Sequence, residues 1–123
     1  MTTTRKGGPG GQRKLKSGAP RIWRRHDGAR GVAYNRAWLA LVTEYGKPPV
    51  GSLLALDMAR LAAALVHQGQ TVRDLEASRR AVERGGRGRG RADLRRLELR
   101  HQRADQALTA ARETLDRVTG KTW

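Results

Sequence analysis

Mostly apolar positions recur along this chain at alternating steps of four and three, in two runs separated by GGRGRG at 85–90. The first run is Leu54, Met58, Leu61, Leu65, Gln68, Val72, Leu75, Arg79 and Val82. The second is Leu94, Leu97, His101, Ala104, Leu108, Ala111, Leu115 and Val118. A stripe of that period is the seam of two helices lying side by side at a shallow angle. The glycines between the runs end one helix and let the chain reverse. The pattern predicts an antiparallel helical hairpin over 52–120. With its turn at residues 87 and 88, Leu61 falls near Leu115, Val72 near Ala104, and His101 opposite Asp74.

A shorter helix is predicted ahead of the hairpin, over 32–46. Tyr34, Ala37, Trp38, Leu41, Val42 and Tyr45 lie on one helical face, Gly46 supplies the stop, and Pro48-Pro49 blocks continuation. These aromatics are read as locking that helix against the hairpin. Ser52 is placed to cap the next helix. Its first half is apolar on nearly every side: twelve of the fourteen residues from Leu53 to Val66 are Leu, Ala, Val or Met. A two-helix hairpin covers one side of such a helix and the aromatic helix another. The reading therefore expects an uncovered strip and self-association through Leu54, Met58, Leu61 and Leu65. The fold class expected is all-α: a short helix plus a long hairpin, oligomeric, preceded by an arm over 1–31 and followed by a tail over 121–123.

Composition changes the picture mainly through charge. The 123 residues carry a net charge of +15. Residues 1–31 hold nine Lys/Arg against one acid, and 79–103 hold ten Arg against three acids, while the rest of the chain balances at seven against seven. All of the excess sits on the arm and on one end of the hairpin, a distribution that favours a polyanionic partner such as nucleic acid. The candidate contact residues are Arg13, Lys14, Lys16, Arg21, Arg24 and Arg25 in the arm, with Arg84, Arg87, Arg89, Arg91, Arg95 and Arg96 at the tip. Rich in glycine and poor in apolar residues, the arm is expected to be disordered when unbound. Trp23, flanked by Arg21, Arg24 and Arg25, either stacks on a nucleobase or anchors the arm to the body.

Candidate chemistry is sparse. With no cysteine the chain has neither disulfides nor thiolate metal sites. Its three histidines fall in three different elements, and no catalytic residue, metal ligand or cofactor is predicted. The N-terminus lacks the apolar run of a secretory signal, and Leu53–Val66 is too short for a membrane span. A cytoplasmic protein without a membrane partner is expected. GKT at 120–122 lacks the upstream glycine and the following helix of a phosphate-binding loop. GPGGQ at 8–12 has the glycine-glycine-glutamine of peptidyl-tRNA hydrolases, but no strand pattern follows it.

The layout resembles the small terminase subunits of tailed bacteriophages. The resemblance rests on RKLKSG (13–18) in a basic, glycine-rich arm, on AWLALVTEYG (37–46), and on the helix opening with Asp57 in LLALDMARLA ahead of a long hairpin. It implies a non-catalytic, ring-forming protein that binds viral DNA and regulates an ATP-hydrolysing large subunit. By the same resemblance, Lys121 and Trp123 are the candidates for contact with that subunit. Several members carry a helix-turn-helix before the hairpin, where this chain has a single helix. That departure leaves DNA contact to the arm and tip, directed at the phosphate backbone. The alternatives are a basic RNA-binding or nucleoid-type structural protein and, more remotely, a GGQ-type peptidyl-tRNA hydrolase resting on Gln12.

Overall fold

The computed structural model describes residues 15–85 and 88–120, with the side chains of 88–90 outside that description. The described residues form three helices: α1 (Gly28–Tyr45), α2 (Leu53–Glu83) and α3 (Gly88–Thr119). Ser52 caps α2 as its position predicts: its hydroxyl accepts from the Ala55 N–H at 3.1 Å and donates to the Pro49 carbonyl at 2.7 Å. Gly46, at φ 91, closes α1, and its N–H bonds the Val42 carbonyl at 2.8 Å. α1 begins four residues before the expected Val32, inside a stretch with no apolar rhythm. The arm is linked to that extra turn through Asn35. The Asn35 amide donates to the Gly31 carbonyl at 2.9 Å and accepts from the Ser17 hydroxyl.

α2 and α3 pack along their length in opposite senses. Thr71 meets His101 at 3.1 Å, and further out Arg79 pairs with Glu98 at 3.7 Å. His101 thus sits against Thr71, about one helical turn from the expected Asp74. Thr71 is buried, whereas Val72, on the predicted seam, is half-buried. α1 runs back along α2. Ala29 and Ala33 share a groove with Ala63 and Val66, while Trp38 and Val42 lie with Ala55.

The core lies at the base of the hairpin, where Tyr34, Trp38 and Leu41 of α1 enclose Met58, Leu61 and Ala62 of α2 together with Leu115 of α3. Two expectations are corrected here. Met58 and Leu61, placed at an interface between copies, are fully buried within this one chain. Leu54 and Leu65 are half-buried and pack against the same core. In addition, residues 15–31, expected to be disordered, belong to the folded body, with Ala19 fully buried and Leu15, Ile22 and Trp23 packed against the core. The cover for α2 therefore comes from α1 and α3, with the arm packed onto the same core. Leu53 remains 80% exposed and Val50 63%. Toward the turn the packing thins: from Glu76 to Arg103 no described residue is buried.

Candidate nucleic-acid interface

The arm folds because its few apolar groups and its turn-forming residues cooperate. The Leu15 N–H bonds the Ala19 carbonyl at 2.9 Å, and the Tyr34 hydroxyl donates to the Pro20 carbonyl at 2.6 Å. His26 then ties down the next turn, its Nε2 accepting from the backbone N–H of Ile22 at 3.0 Å and of Trp23 at 2.8 Å. An Nε2 that accepts twice leaves the proton of the neutral ring on Nδ1, which is buried without a hydrogen-bond partner. Burial, reinforced by the charges of Arg21 and Arg30, holds the His26 pKa below its ordinary 6.5. Trp23 packs 5.0 Å from the His26 ring and 5.2 Å from the Tyr34 ring, and burial pushes the Tyr34 hydroxyl up to about 12. Of the two readings for Trp23, the structure shows the anchor.

This scaffold holds the arm's arginines on the surface. Lys16, Arg21, Arg24 and Arg25 are exposed. Arg21 donates to the Arg24 carbonyl, and Arg25 pairs with Asp27 at 3.8 Å. At the far end of the hairpin Arg84, Arg91, Arg95 and Arg96 are also exposed. Arg96 pairs with Asp93, whereas Arg80, Arg84, Arg91 and Arg95 make no ion pair among the described residues. The structure does not bring the two clusters together. The Trp23–Arg30 region lies beside His67, and about 25 Å of helix separates that level from Arg84. Arg13, Lys14, Arg87, Lys121, Trp123, Gln12 and the side chain of Arg89 lie outside the described residues.

A third basic site was missed by reading the sequence for apolar stripes. Arg30 of α1 and Arg60 and Arg73 of α2 rim one groove. The signal was present as spacing: residues 60, 63, 67, 70 and 73 step by three and four along α2, a stripe of basic, small and polar groups beside the apolar one.

The base of the hairpin carries a different polar cluster. Arg112 donates to the Glu44 carboxylate at 2.9 Å and to the Tyr45 hydroxyl at 3.1 Å, and that hydroxyl donates to Asp116. Burial and the bond to Asp116 push the Tyr45 hydroxyl up to about 12. These groups are engaged with one another and hold α1 to α3. Among the described residues no group of three His, Asp or Glu could hold a metal ion, and no helix is long and apolar enough to cross a membrane. No protein-family model matches the chain, and no curated protein or solved structure matches it.

Proposed function

We propose that this chain is a non-catalytic nucleic-acid-binding adaptor that grips duplex DNA by its phosphates, in the manner of the small terminase subunits it resembles. The observation that carries the reading is the arginine end of the hairpin. Arg80, Arg84, Arg91 and Arg95 stand exposed at the ends of two adjacent helices and form no ion pair among the described residues. Ten arginines against three acids over 79–103 leave this end strongly positive, which suits a phosphate backbone. Contact of this kind is set mainly by charge and shape.

Self-association belongs to the same proposal, but its surface moves. With Met58 and Leu61 enclosed, exposed apolar groups at the base include Leu39, Val50, Leu53 and Val118. A ring would present its arginine ends together. Engagement of a large packaging subunit remains part of the proposal through the resemblance alone. The test is native mass spectrometry of the protein with and without a 30-base-pair duplex, together with duplex affinity across a salt series. A defined oligomer and a steep loss of affinity with salt are expected. A monomer at micromolar concentration would remove the ring, and affinity indifferent to salt would remove the phosphate grip.

A further inference from the structure

The groove between α1 and the middle of α2 has a volume of about 540 Å³, and none of the described residues lining it is acidic. Its apolar lining includes the small side chains of Ala33, Ala63 and Ala64 together with Val66. Three arginines stand around that lining, each with its charge largely available. Arg30 lies over the Trp23 ring, 4.1 Å from its centroid, so its partner is an aromatic face and not an anion. Arg73 donates to the Gln70 side-chain oxygen at 2.9 Å, and Gln70 in turn donates to Asp74 at 2.9 Å, so an amide positions this guanidinium without neutralising it. Arg60 pairs with Asp57 at 3.5 Å, but its side chain is 66% exposed, and such a pair contributes little and exchanges readily. Arg60 and Arg73 are separated by about 20 Å along α2.

We propose that this groove binds a short run of single-stranded nucleic acid. Bases would lie on the alanine wall beside the Arg30–Trp23 layer, with phosphates near Arg60 and Arg73. Charge complementarity selects an anion. The Arg30–Trp23 stack beside an apolar lining favours one with planar rings, because unstacked bases lie on aromatic and guanidinium faces. A duplex keeps its bases stacked inside and offers that wall nothing. The proposal extends the reading of the chain as a nucleic-acid binder but uses a surface separate from the arginine tip.

The test is fluorescence polarisation with a labelled dT 12-mer, an abasic 12-mer of equal charge and a 30-base-pair duplex. Proteins compared are the full chain, Arg60→Gln/Arg73→Gln and, as a second variant, Ala64→Glu, with thermal melts confirming that each folds. The dT 12-mer is expected to bind at least tenfold tighter than the abasic strand. Each variant should lose about tenfold for dT while changing duplex affinity less than threefold. Equal binding of dT and abasic strands would overturn the proposal, as would parallel losses on single strand and duplex. So would displacement of the 12-mer by a polyglutamate peptide or by micromolar dTMP, or a variant that changes the oligomeric mass and leaves strand affinity intact. Strand binding without duplex binding would sink the tip reading and leave the groove standing; the reverse result would do the opposite.

Discussion

The His26 carbonyl lies directly over Gly31: a methyl group on that glycine would stand 1.6 Å from the carbonyl oxygen and 2.3 Å from its carbon. Both atoms are backbone, so neither can swing aside. Gly31→Ala is therefore expected to destabilise the chain by about 1–3 kcal/mol, despite the roughly 1 kcal/mol that alanine gains over glycine in a helix. Gly69 supplies the control. A Cβ there meets only the end of the Arg73 side chain at 3.8 Å, an ordinary contact. Gly69→Ala should stabilise by about 0.5–1 kcal/mol. Urea unfolding of the two variants checks the opposite signs.

His26 makes stability depend on pH in a defined direction. Its pKa in the fold lies below 6.5, so near that pH the unfolded chain binds the proton more readily. The contribution is fully present above pH 6.5 and is lost as pH falls through that value toward the lower folded pKa. Protonation would also destroy the Nε2 acceptor for the Ile22 and Trp23 N–H groups. Thermal melts from about pH 7.5 to about pH 5 should show a larger fall for the native chain than for His26→Gln, which carries no titrating ring. Parallel curves would exclude His26 as the cause.

Across the hairpin seam, Thr71 gives its hydroxyl hydrogen to the Gln68 carbonyl at 2.7 Å, which leaves His101 Nδ1 to donate to the Thr71 oxygen at 3.1 Å. Thr71→Val removes that acceptor from a buried position and should cost about 1–2 kcal/mol, although valine has the same shape and is more apolar. Adding His101→Leu should recover much of the loss, since replacing both partners leaves no orphaned polar group. Denaturation of the single and double variants measures the coupling.

The arginine end is expected to reveal itself through ion release. Arg91→Gln/Arg95→Gln should weaken duplex binding across unrelated sequences alike and make the log–log salt dependence shallower by about two. A loss confined to one duplex sequence would point instead to base reading.

Three helices, the Ser52 cap, the stop at Gly46 and the aromatic face of α1 were all legible, because each follows from local spacing or local chemistry. The placement of 15–31 was not. Its glycines and arginines carry no period, and it folds through contacts such as Tyr34 to Pro20 that join residues far apart in sequence. With α1 and α3 laid against α2 and that segment packed on the same core, Met58 and Leu61 need no second copy, so the interface expectation at those residues fell. The groove was hidden for a related reason: alanines and arginines at helical spacing register as a solvated face until α1 is laid alongside. The shift from Asp74 to Thr71 opposite His101 reflects where the turn falls, which a glycine-rich linker leaves free within a helical turn.

The outer third of the hairpin, where no described side chain is buried between Glu76 and Arg103, has little of its own to resist opening. Any polyanion that clasps its arginines in helical form would act as a splint, tightening a region the apolar core does not reach. Occupancy at the tip would then be written into amide exchange along both arms, fading toward the base, where Tyr34 and Leu115 already hold the chain shut.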